Sequence, residues 1–308
     1  IMSNITAASV KALRDLSGAG MMDCKSALVE TEGDMDKAID LLRTKGLSAA
    51  AKKSGRTASE GLVCIKTEGT KGTLVEVNSE TDFVARNDIF QNFVSEVTAT
   101  AHTLDGDFDS LNSAEYNKSS QSVEEKTNSL VATIGENISV RRCKGLEVKK
   151  GTISGYMHNS IANNMGKIGV LVALESEAPV EKLSSIGKNL AMHICSADPQ
   201  SLDIQSLDKK VLERERQILI EQAKETGKNP DIIDKMVEGR LRKYYEESVL
   251  LEQVYVLDTD IKVRQAIEIA AKEIGSDINV TGYIRYKIGE GIEQKDDDFA
   301  AEVERMST

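Results

Sequence analysis

Two stretches of this chain repeat one pattern, in which a strand opened by glycine follows an earlier strand and precedes a helix. Residues 72–77 read Gly-Thr-Leu-Val-Glu-Val, and residues 169–174 read Gly-Val-Leu-Val-Ala-Leu. The flanking strand and helix patterns lie at 62–67 and 88–102 for the first unit, and at 151–158 and 183–195 for the second. Strands joined by short connections pair antiparallel, so we predict an α+β fold whose core holds two related subdomains side by side, each with an antiparallel sheet.

The rest of the chain divides around this core. The first residues predict three short helices, at 3–16, at 21–31 and from the N-cap Asp34 to Gly46. Three such helices with a glycine-rich first turn resemble a ubiquitin-associated domain. We predict these boundaries: 1–54, a ubiquitin-associated-like helical domain with a basic connector; 55–148, the first core subdomain; 149–207 and 251–292, the second; 208–250, an inserted antiparallel coiled-coil hairpin; 293–308, a C-terminal helical module with a helix at 297–306.

Composition and motifs argue against several classes of function. The net charge of −11 disfavours direct nucleic-acid binding, and the four cysteines form no C-x-x-C motif. No nucleotide-binding glycine loop, H-E-x-x-H or G-x-S-x-G motif occurs, so we expect neither a cofactor nor a metal, and not an enzyme. No apolar run approaches about 18 residues and no signal-peptide pattern is present, so we expect a cytoplasmic protein without membrane contact. We interpret Met2 as the natural start, with Ile1 as a remnant of processing.

Residues 76–86, Glu-Val-Asn-Ser-Glu-Thr-Asp-Phe-Val-Ala-Arg, are the most informative segment for function. Asn78 and Ser79 end a strand, and Thr81 and Asp82 are suited to cap the helix that follows. Phe83 therefore falls at the turn between strand and helix. Local pattern leaves two alternatives open: Phe83 inserts into a partner, or it packs in its own core while Asp82 only caps the helix.

Three segments together resemble the elongation factor Ts family: residues 13–25, residues 76–86, and residues 134–142, which read Ile-Gly-Glu-Asn-Ile-Ser-Val-Arg-Arg. The resemblance continues in order along the whole chain and agrees with the domain organisation predicted above. Small departures are Ser17, where threonine is usual, and Val254, where proline is common after the hairpin.

The resemblance implies a guanine-nucleotide exchange factor that binds elongation factor Tu in its GDP-bound and nucleotide-free states. It implies that Thr81, Asp82, Phe83 and Val84 reach the magnesium site of the partner and dislodge the metal. It further implies contacts through these residues: Arg14, Met21, Met22, Lys25, Lys53, Ile134, Gly135 and His158. From the residues alone, Met22 could equally be buried, with only Met21 exposed.

Two other functions compete with this hypothesis. One is a non-catalytic binding adaptor that uses the ubiquitin-associated-like domain. The other is a hydrolase that uses His158 or His193. We expect His193 to be a packed core histidine and His158, at the end of a strand, to be exposed. Neither alternative accounts for the three long segments together.

Overall fold

Residues 5–17, 19–225, 227 and 229–293 are described by a computed structural model. Its elements in chain order are α1 (Ala7–Ser17), α2 (Met21–Glu30), α3 (Met35–Lys53), β1 (Glu60–Glu68), β2 (Lys71–Ser79), a 3-10 helix (Val84–Arg86), α4 (Asp88–Thr103), α5 (Phe108–Leu111), α6 (Val123–Ile134), β3 (Ser139–Glu147), β4 (Gly151–His158), β5 (Met165–Gly166), β6 (Ile168–Glu175), α7 (Val180–Ala197), α8 (Lys209–Lys224), α9 (Pro230–Ser248), a second 3-10 helix (Leu250–Glu252), β7 (Val254–Tyr255), β8 (Asp258–Lys262), α10 (Val263–Ile274) and β9 (Asn279–Lys287).

The strands form antiparallel sheets, which confirms the α+β class. One sheet has the order β3-β2-β1-β5, another β4-β6-β9, and β7 pairs with β8. Alternate residues of β2 and β6 face different layers: Val75 packs with α4 and Val172 with α7, while Leu74 and Leu171 meet between the sheets. The two larger sheets therefore stack face to face between outer helices, an arrangement that the predicted side-by-side subdomains did not specify.

The two glycines that open the repeated pattern face this interface between the sheets. A Cβ atom on Gly72 would lie 2.5 Å from Cγ2 of Ile153, and one on Gly169 would lie 2.7 Å from Cδ1 of Leu74. Real Cβ atoms do not approach other atoms so closely, so glycine permits the close approach of the sheets at both positions. The sequence pattern thus marks where the two halves of the core meet.

A buried carboxylate joins the sheets at the end where β2 finishes. Glu76 is fully buried, and its Oε1 accepts hydrogen bonds from Nη1 of Arg141 and from the backbone N–H of Gly289, each at 2.9 Å. Its Oε2 accepts from Nε of Arg142 at 2.5 Å. Because Gly289 lies just beyond the end of β9 in the other sheet, this ion-pair network fastens the two sheets together beside the segment that leads to Phe83.

The N-terminal helices pack on a small core of their own, which includes Val10, Leu13 and Leu28. Asp34 caps α3 as predicted, since its side chain accepts from the backbone N–H of Lys37. The predicted end of this helix at Gly46 is wrong, because α3 continues to Lys53. A Cβ atom on Gly46 would lie 3.9 Å from Cβ of Ala132, an ordinary packing distance, so Gly46 lies inside the part of α3 that packs on α6 and does not end the helix.

Helices α8 and α9 run against each other through Leu219, Ala223 and Val237. Asn229 caps α9, and Pro230 occupies its first turn. The β7–β8 hairpin that follows was not predicted. Strand β5, which the predicted boundaries assign to the second subdomain, pairs with β1 of the first sheet.

Within the described residues, no helix is long and apolar enough to cross a membrane. The predicted helix at 297–306 and all but the first residue of the predicted C-terminal module lie outside the described residues.

Candidate partner-binding site

The segment between β2 and α4 forms a tight loop that ends in the 3-10 helix. The cap of α4 is Asn87, whose side chain accepts from the backbone N–H of Ile89 at 2.8 Å. The prediction that Thr81 and Asp82 cap this helix is therefore wrong. Helix α4 begins at Asp88, as predicted, but the 3-10 turn separates it from Asp82, which stays exposed on the loop.

Phe83 and Val84 lie on opposite sides of this loop. Phe83 is 80% exposed, whereas Val84 is buried in the first core with Phe90 and Phe93. The alternative in which Phe83 packs in its own core is thus contradicted. Val84 was predicted to contact a partner, but its burial does not fit that role, and it instead anchors the loop from below.

A second segment, between α6 and β3, holds the loop from the side. The carboxylate of Glu136 accepts hydrogen bonds from Thr81, and the carboxylate of Glu80 accepts one from the backbone N–H of Asn137. Sequence reasoning assigned no role to Glu80, Glu136 or Asn137. The signal available was that all three belong to the segments that carry the family resemblance.

The structure brings Lys53 and Gly135 together. Gly135 ends α6 in a left-handed conformation, φ 91°, which glycine adopts readily at a helix end. A Cβ atom on this glycine would lie 3.7 Å from Nζ of Lys53, at the end of α3. Ile134 is half-buried against the first core. Because Glu136 follows directly, Lys53 and Gly135 adjoin the Phe83 loop.

The predicted contact residues of the N-terminal helices are all exposed. Met21 and Met22 are 47% and 69% exposed, so the alternative that buries Met22 is contradicted. Arg14 and Lys25 are exposed as well. Leu16 is 68% exposed and lines the cleft between these helices and α6. It adds an apolar side chain that sequence reasoning missed.

His158 ends β4 and is exposed, as predicted. Its Nδ1 lies 3.2 Å from the hydroxyl of Tyr156. Its carbonyl oxygen accepts from the backbone N–H of Lys167, whose Nζ forms an ion pair with Glu60, the residue that pairs with Ser79. His158 therefore lies at the same end of the two stacked sheets as the Phe83 loop.

His193 is the packed histidine that the sequence predicted. Its Nδ1 accepts from the backbone N–H of Val256, and its Nε2 lies 2.9 Å from Oε1 of Gln253. The ring therefore donates through Nε2 and is neutral, and burial lowers its pKa below the usual range. Both nitrogens are occupied, which leaves none for general-base chemistry. No group of three His, Cys, Asp or Glu suited to a metal ion occurs in the part of the chain that the structure describes.

One more exposed apolar side chain lies near the loop. Ile89 is 53% exposed on the first turn of α4, while Phe90, Phe93 and Val94 turn inward. Phe83 on its braced loop and Ile89 close by expose two large apolar side chains near each other, a surface suited to contact with another protein. Fold and site thus define an α+β scaffold that binds a protein partner.

Comparisons with known proteins identify the family. Residues 80–290 match the family model described as elongation factor TS. The chain is 54% identical over 306 residues to elongation factor Ts of Rhodospirillum centenum, which covers 99% of this chain and 100% of that protein. It is 54% identical over 303 residues to elongation factor Ts of Rhodospirillum rubrum and 51% identical over 302 residues to that of Agrobacterium fabrum, with 98% of each chain covered in both cases. The chain belongs to the elongation factor Ts family, the nucleotide exchange factors of elongation factor Tu.

Proposed function

We propose that this protein binds GDP-bound elongation factor Tu and accelerates GDP release by dislodging magnesium from the nucleotide site. The proposal rests on the exposure of Phe83 between two anchored residues, Thr81, which bonds to Glu136, and Val84, which is buried. Phe83 enters between elements of the partner that hold the metal, and Asp82 disturbs the polar groups around it. Loss of magnesium leaves the phosphate charge poorly compensated, so GDP dissociates faster.

Thermodynamic linkage constrains this mechanism. If the factor weakens GDP binding to the partner, GDP must weaken binding of the factor by the same ratio. The protein therefore binds nucleotide-free partner more tightly than GDP-bound partner, and GTP displaces it at the end of the cycle. No covalent step is required of any residue in this chain.

Insertion of Phe83 needs favourable contacts elsewhere in the complex, because distortion of the partner costs free energy. Lys53, Ile134 and Gly135 supply contacts beside the Phe83 loop, and Ile89 extends its apolar surface. More distant contacts come from His158 and from the exposed residues of the N-terminal helices: Arg14, Met21, Met22 and Lys25. Leu16 joins the latter group on account of its exposure.

These groups of contact residues lie in different domains under the boundaries that we propose. Residues 1–54 form the ubiquitin-associated-like domain, 55–148 the first core subdomain, and 149–207 with 251–292 the second. Residues 208–250 form the inserted coiled-coil hairpin, and 293–308 the C-terminal module. The separate apolar cores of the N-terminal helices and of α8 with α9 support treating both as distinct units.

The direct test is release of a fluorescent GDP analogue from elongation factor Tu, followed by stopped flow after mixing with this protein and excess unlabelled GDP. We expect acceleration at substoichiometric protein, with smaller acceleration as magnesium concentration is raised. Formation of a complex without faster release would refute the proposal and favour the adaptor hypothesis.

A further inference from the structure

Two chain segments that are far apart in sequence are tied together by opposed carboxylates beside Phe83. Glu136 accepts from the backbone N–H of Thr81 at 3.0 Å through Oε2 and from its hydroxyl at 2.7 Å through Oε1. In the reverse direction, Glu80 accepts from the backbone N–H of Asn137 at 2.5 Å. Each segment therefore donates a backbone hydrogen bond to the acid of the other.

The connector after α3 closes this arrangement. The side-chain amide of Asn137 donates to the carbonyl oxygen of Arg56 at 2.7 Å, and Nη1 of Arg56 lies 3.6 Å from Oε1 of Glu80. Glu80 is thus held by both the connector and the segment after α6. Of the two acids, Glu136 is the one that engages Thr81, the residue two positions before Phe83.

Phe83 gains little from packing that could fix its own position, since most of its side chain is exposed. Its orientation depends on the residues on either side. Val84 anchors the loop after Phe83 in the first core, and Thr81 is the anchor before it. Two hydrogen bonds to one carboxylate restrain both the backbone and the side chain of Thr81, and bonds to a charged acceptor are stronger than neutral ones.

We propose that Glu136 is a positioning residue that holds the Thr81–Phe83 loop in the conformation that presents Phe83 to the partner. Ordering the loop before binding removes an entropy cost that a mobile loop would pay in the complex. The consequence for exchange rests on the proposed function, whereas the ordering of the loop can be measured in the free protein.

The chain contains no tryptophan, so Phe83→Trp introduces a single fluorescent reporter at the tip of the loop. In this background we expect Glu136→Ala to lower the fluorescence anisotropy of the introduced indole and to increase its quenching by acrylamide. Glu136→Gln keeps an acceptor for the backbone N–H and an amide group that can donate to the hydroxyl of Thr81, so we expect it to retain most of the native anisotropy. The matched control is Glu124→Ala. Glu124 is an exposed acid in the first turn of α6, and Glu136 lies beyond the other end of this helix.

Exchange is then measured with Phe83 restored. We expect Glu136→Ala to lower the rate of stimulated GDP release about tenfold, within the range known for misplaced contact groups, with Glu136→Gln near native and Glu124→Ala unchanged. Thermal unfolding of each variant separates loop disorder from global instability. If Glu136→Ala leaves both anisotropy and exchange unchanged, Glu136 does not position the loop.

Two further outcomes separate this inference from the proposed function. Lower anisotropy with native exchange would show that the loop is held but that holding it does not serve exchange, which overturns the positioning role. Failure of the native protein to stimulate release would refute the proposed function itself and, with it, any role of Glu136 in exchange.

Discussion

Truncation of Phe83 to alanine separates folding from function, because most of this side chain is exposed in the free protein. Truncation of a fully buried phenylalanine costs about 3–5 kcal/mol of unfolding free energy. Phe83 is 80% exposed, so only about a fifth of that value, roughly 1 kcal/mol or less, is at risk. We therefore expect Phe83→Ala to fold normally and to unfold near the native denaturant midpoint.

The expected loss in exchange is larger. Full burial of a phenylalanine side chain is worth about 1.5–3 kcal/mol. If a partner buries the four-fifths now exposed, the contact contributes about 1–2.5 kcal/mol, or roughly 5- to 70-fold in rate. The net contribution to the nucleotide-free complex is smaller, because part of the contact energy offsets distortion of the partner. Phe83→Ala should therefore slow stimulated GDP release more than it weakens the nucleotide-free complex.

Both quantities are measurable with one pair of proteins. Stopped flow with a fluorescent GDP analogue gives the release rate at saturating factor, and titration of nucleotide-free elongation factor Tu gives the dissociation constant. Leu257→Ala is the matched control, since Leu257 is likewise a large apolar residue exposed to solvent, at 51%, but lies on the turn between β7 and β8. Insertion of Phe83 into the partner would be refuted if Phe83→Ala lost equal factors in GDP release rate and in affinity for nucleotide-free elongation factor Tu. An unchanged release rate would refute it as well.

Three further predictions follow from other parts of the structure. Glu76→Ala removes the buried partner of Arg141 and Arg142 and should lower the free energy of unfolding by about 3 kcal/mol in urea denaturation. The control Glu177→Ala breaks an exposed pair with Lys150 and should cost under about 1 kcal/mol. Equal losses in the two variants would contradict the stabilising role of Glu76. Burial lowers the pKa of His193, so as pH falls the unfolded chain binds a proton at this residue before the folded protein does. The free energy of unfolding should therefore fall below about pH 6.5, by at most about 1.4 kcal/mol per pH unit. His193→Gln should remove this pH dependence, and an unchanged pH dependence in the variant would exclude His193 as its source. Arg14→Ala should shorten the lifetime of the complex about two- to fivefold in surface plasmon resonance, and an unchanged dissociation rate would remove Arg14 from the contact surface.

Local signals were sufficient where an element is defined by its own residues. The pattern of residues 123–134 predicts a helix ended by Gly135, and the structure shows why α6 has these bounds. Ser122 and Glu125 form a capping box at its start, and Gly135 adopts the left-handed conformation at its end. Strand β4 also has its predicted bounds. In both cases the signals lie within a few residues of the boundary.

Predictions failed where a distant segment decides the local structure. Gly46 was interpreted as a helix end because glycine commonly ends helices, but α3 continues past it to Lys53, where the helix packs on α6. Leu16 fits the apolar spacing of α1, yet it faces a cleft and stays exposed. Neither result could be derived from helical periodicity, because both depend on how the N-terminal helices meet α6.

The candidate site shows the same limit. The resemblance selected Phe83 and the residues around Gly135, but it did not link Thr81 to Glu136, which lie 55 positions apart. A stronger clue was available at Glu76. A charge inside a strand that is apolar on both faces must be paired, and the adjacent basic residues Arg141 and Arg142 belong to another of the three resembling segments. That pairing would place β2 beside β3 and bring the Phe83 loop next to the turn after α6, so the buried acid is the residue from which the geometry of this site could have been inferred.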